Sequence, residues 1–171
     1  MYFKIVEKFG PDDGVRWNDY LMWRGLNLTR FDSVDGILRG DLFNPESEDD
    51  WKNCVQEDFK ISLITNLEYA RKIQKQYEEA EIVGIDFPMD SHYQVKTGLL
   101  GFDVIDSHWG VSMLTNWGTD EEGIFSDLIL ENGLLGDLTH AFRIRDTLRK
   151  RFPEDRHARE CHVCAIYEID T

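Results

Sequence analysis

The apolar residues of this chain alternate in some segments and follow a helical spacing in others, and few architectures combine the two patterns in this order. Alternating patterns rich in β-branched and aromatic residues predict strands at 2–8, 81–87, 97–105, 110–117 and 162–169. One helical stripe from Leu63 to Tyr77 predicts a helix at about 60–79, and a second stripe that stops at Pro153 predicts one at about 134–152. Strands and helices mixed without regular βαβ alternation predict an α+β fold, with a mostly antiparallel sheet packed by two main helices.

The length of 171 residues fits one domain, which we expect to span 1–171. A hydrophobic fraction of 42% exceeds that of a disordered chain, so a sizeable core is expected. Two further segments have weaker patterns. The pattern of 26–42 predicts one or two short strands with a turn at 33–36, and 44–50 is predicted to be an acidic loop.

The charge balance restricts the class of partner. With 33 acidic and 19 basic residues, the formal net charge is −14, so nucleic acids and anionic membranes are repelled. A basic protein is attracted, and its association is expected to be faster at low salt. The predicted partner is therefore a basic protein, with no direct nucleic-acid contact and no membrane association. A charge that serves solubility alone is the alternative.

The three cysteines, Cys54, Cys161 and Cys164, indicate a reducing compartment, because secreted domains usually carry an even and dense set. The first residues after Met1 lack the apolar core of a signal peptide. No apolar run approaches the length of a membrane span. A cytoplasmic location is predicted.

The charges are segregated along the chain. No lysine or arginine occurs between Lys96 and Arg143, whereas basic residues are frequent from Arg143 to Arg159. Acidic blocks with nearby aromatic residues suit a basic protein surface, because carboxylates steer association and aromatic side chains anchor it. One predicted partner-binding patch comprises Trp117, Asp120, Glu121, Glu122 and Asp127. The other comprises Glu48, Asp49, Asp50 and Trp51. Solvated faces without a partner are the alternative.

A Cys-x-x-Cys pair near the end of the chain, Cys161 and Cys164, is flanked by His157 and His162. These are residue types that bind Zn²⁺. In a strand, however, the two thiols point to opposite faces, so buried structural cysteines are predicted instead. No metal site and no cofactor is predicted.

Two Asp-Ser-His turns, at 90–92 and 106–108, support a second hypothesis. Neighbouring loops could bring His92 and His108 together as acid and base, with nearby aspartates, in a small enzyme that acts on a phosphodiester or nucleotide. Turn formation alone explains the same residues, and the acidic surroundings disfavour such a substrate. The leading hypothesis assigns no catalytic residue. A polyanionic mimic of nucleic acid is a third alternative.

Two adjacent segments carry a resemblance. Phe102-Asp103-Val104-Ile105-Asp106 is followed, after a turn, by Ser112-Met113-Leu114-Thr115-Asn116. This resembles a hairpin in immunity proteins of bacterial polymorphic toxin and contact-dependent inhibition systems, which read aromatic-Asp-x-x-Asp and then Ser-x-Leu-x-Asn. The whole chain is similar to them in kind, being small and acidic. The resemblance implies stoichiometric inhibition of a cognate toxin, often a basic nuclease, by covering its active site or an adjacent surface.

Overall fold

The computed structural model describes residues 1–7, 26–56, 62–106, 110–116 and 125–170. Its strands are β1 (Tyr2–Val6), β2 (Cys54–Gln56), β3 (Ser62–Ile64), β4 (Glu81–Asp86), β5 (Leu99–Ile105) and β6 (His162–Glu168). The α-helices within these residues are α1 (Val34–Arg39), α2 (Glu48–Lys52), α3 (Leu67–Gln74), α4 (Leu138–Arg151) and α5 (Arg156–Arg159). One turn of 3₁₀ helix covers Ser126–Leu128.

The six strands form one sheet in the order β2-β3-β1-β4-β6-β5, and every neighbouring pair is antiparallel. The protein is therefore a single α+β domain, as the sequence predicts. β6 lies between β4 and β5, so the segment between those two strands crosses β6. Among the described helices there is none with both the length and the apolar character that a membrane span requires.

One face of the sheet is covered by the two longest helices. α4 buries Ile144 and Leu148 in a cluster that contains Val104 of β5, and α3 buries Ala70 and Ile73 over β1 and β3. Both helices present one apolar stripe to the sheet, which is the pattern that makes a short helix stable in a tertiary context.

The opposite face is covered by α1 and by irregular segments. Val34 and Ile37 of α1 pack in a cluster with Leu134 and with Cys164 of β6. Cys161, just before β6, belongs instead to the cluster beneath α4. The two cysteines of the Cys-x-x-Cys pair therefore lie on opposite faces of the sheet, as the strand period requires.

The predicted helices are present with different limits. The helix predicted at 134–152 begins at Leu138, after the cap residue Asp137. The helix predicted at 60–79 covers only Leu67–Gln74, because Asn66 caps its first turn and the preceding residues form β3. Leu63 matched the helical stripe, but it is buried as a strand residue paired with Val55. Sheet pairing outweighs the local helical pattern here.

Three other predicted elements were wrong in type. The 26–42 segment contains α1 where strands were predicted, and the 44–50 loop leads into α2. The strand predicted at 110–117 is reduced to one bridge, between Ile105 and Ser112, followed by a turn at 113–116. Its last residue, Trp117, lies outside the described residues.

Candidate functional site

The patch predicted at Glu48–Trp51 lies on α2, beside the edge strand β2. Ser47 and Asp50 form a capping box, in which each side chain accepts a hydrogen bond from the backbone of the other. The hydroxyl of Tyr69 also donates to Asp50. The Tyr69 hydroxyl and the donors of Ser47 hold the pKa of the Asp50 carboxyl well below its usual range. Asp50 thus holds α2 against α3.

The two other acids of this patch are paired with lysines of the same chain. Glu48 lies 2.8 Å from Lys52, and Asp49 lies 3.3 Å from Lys72. Trp51 is 46% exposed. The patch therefore offers an exposed indole, and its acids Glu48 and Asp49 each have a lysine counterion within the chain.

The other predicted patch is only partly described. Trp117, Asp120, Glu121 and Glu122 lie outside the described residues, whereas Asp127 is exposed on the 3₁₀ turn. The chain then folds into a tight hairpin at 129–135. Leu130 donates to the carbonyl of Leu134 at 2.8 Å, and Gly133, with φ of 83°, donates back to Leu130 at 2.9 Å.

The 129–135 hairpin is fixed on both sides. Leu135 and Phe102 of β5 exchange two backbone hydrogen bonds of 2.8 Å, which closes the outer edge of the sheet at this point. On the other side, the carbonyl of Glu131 accepts from Thr29 at 2.7 Å and from Arg30 at 3.2 Å. The tip of the hairpin is therefore held rigidly above β5.

The surface of this region carries unpaired negative charge around an apolar side chain. Within the described part of the chain, neither Asp127 nor Glu131 forms an ion pair with a lysine or arginine. Asp137 caps α4 through the backbone of His140 and remains exposed, and Leu130 is 44% exposed. We refer to Asp127, Leu130, Glu131 and Asp137 as the acidic strip.

Sequence reasoning named Asp127 but missed the other three members of the acidic strip. The available signal was the run without basic residues from Lys96 to Arg143, which contains all four. Asp127, the one described member of the second predicted patch, lies far from the patch on α2. α2 lies beside β2 and the acidic strip lies beside β5, at opposite edges of the sheet, which separates them by about 24 Å at about 4.8 Å per strand.

The hairpin motif that carries the resemblance is buried. Asp103, fully buried on β5, accepts hydrogen bonds from the Val34 backbone at 2.8 Å and from the Ser112 hydroxyl at 2.7 Å. Asp35 accepts from Thr115 at 2.8 Å and from Asn116 at 2.9 Å. We call these residues the carboxylate network. It joins α1, β5 and the 113–116 turn.

Burial dominates the ionisation of the carboxylate network. It raises the pKa of Asp103 to about 7 and that of Asp35 to about 6, against the opposing effect of their hydrogen-bond donors. The negative charge of Asp35 also raises the pKa of Asp103. The buried residues of the motif thus have a structural role in the core.

The remaining candidates for catalysis or metal binding are the aspartates and histidines near the two Asp-Ser-His turns. Asp106 accepts from Gly110 at 2.8 Å, and its other oxygen lies 2.8 Å from Nδ1 of His157. No group of three histidine, cysteine, aspartate or glutamate side chains is arranged for a metal ion within the described residues. His92 is exposed in a turn closed by Asp90, and His108 lies outside the described residues, so the two-histidine hypothesis stays a prediction.

Comparison with protein-family models, with curated proteins and with solved structures finds no match to this chain. The resemblance to immunity proteins therefore rests on the sequence alone. What the geometry adds is a distinction between two acidic surfaces. One has carboxylates paired with lysines of the chain, and in the other Asp127 and Glu131 have no lysine or arginine partner among the described residues.

Proposed function

We propose that this chain is a binding protein that neutralises a basic protein partner, and specifically an immunity protein that inhibits a cognate bacterial toxin in the cytoplasm. The observation that carries the proposal is the acidic strip, where Asp127 and Glu131 lack ion pairs with lysine or arginine within the described residues and lie close in the chain to the exposed Leu130. Binding there would occlude the partner sterically and electrostatically.

Three physical properties of the strip support this role. Carboxylates without internal counterions keep their field, and such a field accelerates the association of a basic partner. An exposed leucine inside a charged rim is the usual arrangement of an interface core. The backbone hydrogen bonds that fix the 129–135 hairpin reduce the entropy that would otherwise be lost on binding.

The decisive experiment compares two double charge reversals of equal size. Tagged protein captures its basic partner from native lysate at low salt, and the association rate is then measured with the purified pair. We expect Asp127→Lys with Glu131→Lys to lower the on-rate at low salt by about tenfold or more. The matched control, Glu48→Lys with Asp49→Lys on α2, changes the net charge equally but should change the on-rate much less, because α2 lies at the opposite edge of the sheet from the strip.

A second readout tests inhibition itself. An immunity protein should abolish the partner's activity at one equivalent, and the strip variant should require a clear excess at low salt. Equal on-rates for the two double variants would show that the strip is not the interface. A partner whose activity is unchanged at saturation would refute the inhibitory function, whatever surface it contacts.

A further inference from the structure

Asp32 is a buried carboxylate with one incompletely used oxygen. Its side chain is 4% exposed, and Arg30 donates to Oδ1 over 3.4 Å. The Nε atom of Arg30 lies 3.2 Å from Oδ2 but is not aligned for a hydrogen bond. Oδ2 thus accepts no hydrogen bond from the described residues, which is unusual for a buried carboxylate and costs free energy.

Asp32 lines a pocket between α1 and the sheet. Its cavity volume is about 10 Å³, close to the space that a single water molecule needs. Apart from Asp32 and Glu7, the lining residues are apolar. They are Val6, Phe31, Gly36, Ile37, Val83, Leu100 and Ile166. A group that is small, polar and attached to an apolar stem matches this lining.

The pocket adjoins the acidic strip. The backbone of Asp32 donates to the carbonyl of Asn132 at 3.0 Å, one residue after Glu131. The Asn132 amide donates in turn to the carbonyl of Leu100, which lines the pocket. A protein that covers the strip therefore has the pocket within reach of one long side chain.

We propose that this pocket receives the ammonium group of a lysine side chain from the basic partner. The inference rests on the proposed function and adds a specificity site to it. An ammonium group is about the size of water and carries three donors, so it supplies the bond that Oδ2 lacks. The methylene stem lies against Leu100 and the other apolar side chains in the open part of the pocket.

Lysine suits the pocket better than arginine for reasons of size and charge. A planar guanidinium is larger than a cavity of about 10 Å³. The guanidinium of Arg30 already lies beside Asp32 at the rim. The Arg30 side chain is 48% exposed, so it can turn towards solvent when an incoming ammonium takes over the carboxylate.

The test is an NMR titration of the intact chain with Nα-acetyl-lysine N-methylamide. We expect saturable shifts at the backbone amides of Asp32, Gly36 and Leu100. The norleucine analogue has the same stem without the charge and should not produce them. Asp32→Asn should weaken binding of the lysine probe by about tenfold or more, because a charge-assisted hydrogen bond is lost.

A second variant keeps the test decisive if Asp32→Asn alters folding. Arg30→Gln removes the competing cation and should tighten binding of the lysine probe, whereas Glu48→Gln, at the far edge of the sheet, leaves the pocket intact and should change binding little. Shifts that are absent, or equal for the norleucine probe, overturn the inference. An arginine probe that binds equally well overturns the choice of lysine.

Failure of the pocket and failure of the proposed function have different signatures. In one outcome, charge reversal at Asp127 and Glu131 slows association of the partner, but Asp32→Asn leaves its dissociation rate unchanged. That outcome supports the proposed function and refutes the lysine pocket. If Asp32→Asn speeds dissociation of the partner, the pocket is part of the interface.

Discussion

Asp103 is the buried residue on which the local structure depends most. It is inaccessible to solvent, and it accepts hydrogen bonds from the backbone of Val34, the backbone of Val104 and the hydroxyl of Ser112. The side chain of the N-cap residue Ser33 forms no capping bond. The bond from the Val34 backbone to Asp103 instead caps the first turn of α1 from β5. The carboxylate thus replaces a local cap with a tertiary one.

Asp103→Ala should therefore be strongly destabilising. It leaves buried donors of Val34 and Ser112 without an acceptor, at a cost of about 3 kcal/mol or more in the free energy of unfolding. Asp127→Ala is the control, because this exposed residue should change stability by less than about 0.5 kcal/mol. Urea denaturation measures both. A small change in the free energy of unfolding of Asp103→Ala would mean that water accepts the hydrogen bonds of Val34 and Ser112 in place of the carboxylate.

Gly101 lets the 129–135 hairpin approach β5. It lies at the register shift of β5 with φ of 154°, and a Cβ atom there would come within 2.8 Å of both the Leu134 Cβ and the Leu135 carbonyl oxygen. We expect Gly101→Ala to lower the free energy of unfolding by about 2 kcal/mol. Gly136→Ala is the matched control, since its nearest contact is an ordinary 3.5 Å. Thermal denaturation of the two variants should separate them clearly.

Sequence reasoning could not find these residue roles. Asp103 and Val34 are 69 positions apart, and Asp35 is 80 positions from Thr115. Nothing local marks such pairs, because the hydrogen bonds exist only after the sheet and α1 have come together. The sequence showed the alternating pattern of β5 and the turn residues that follow it. It did not show that the carboxylates of Asp103 and Asp35 are buried.

At the scale of elements, α4 begins at a residue with two separable roles. Asp137 accepts a hydrogen bond of 2.9 Å from the His140 backbone, which caps the helix, and it adds a negative charge to the acidic strip. Asp137→Ala should reduce stability by about 1 kcal/mol through loss of the cap. Asp137→Ser keeps a capping oxygen and should be nearly as stable as the parent.

The two Asp137 variants separate stability from steering. Both remove the charge, so both should slow association of the partner to the same extent at low salt. Denaturation midpoints and on-rates for the pair measure the two effects independently. If Asp137→Ser binds like the parent, the charge at this position contributes nothing to association, and the strip is limited to the hairpin and the 3₁₀ turn.

The elements whose type is determined by neighbouring residues in the sequence were predicted best. The strands at 81–87 and 162–169 were predicted nearly to their ends, because their alternation is strong and continuous. Asn66 was a usable helix-start signal that would have shortened the 60–79 helix, since it caps the backbone of Glu68 and Tyr69. The 26–42 segment was misassigned because its glycines suggested turns, whereas Gly36 lies inside α1. A Cβ atom at this position would lie only 2.0 Å from the carbonyl oxygen of Phe31.

At the scale of the whole molecule, the carboxylate network should affect the pH dependence of stability. The pKa values of Asp103 and Asp35 are raised to about 7 and about 6 in the folded chain, from 3.8 when unfolded. The folded state therefore binds more protons than the unfolded state between about pH 4 and pH 7, and this contribution to stability falls as pH rises through that window. Asp50 and Asp86, with lowered pKa values, act in the opposite direction below about pH 4.

Asp103→Asn should flatten this profile. Denaturation midpoints of parent and variant are compared at about pH 5 and about pH 8, and the parent should lose more stability between the two than the variant does. Parallel losses would show that Asp103 ionises in the folded state as it does in the unfolded state. Glu131→Gln, at an exposed acid, controls for the change in net charge.

The global charge pattern was readable from the sequence, but its consequence for binding was not. A net charge of −14 and the run without bases predicted an acidic surface. Which acids remain unpaired depends on the positions of Lys52 and Lys72, and those positions follow from the helices they belong to. Within the described residues, the fold thus gives Glu48 and Asp49 lysine counterions and gives Asp127 and Glu131 none.

The order of strands in the sheet has a consequence for biosynthesis. β6 is made after the other five described strands, yet it lies between β4 and β5 and joins them. Before β6 is made, β5 has no neighbouring strand of the sheet, and it contacts the earlier part of the described chain through Val34 of α1. The six-stranded sheet can therefore close only after translation has passed Glu168.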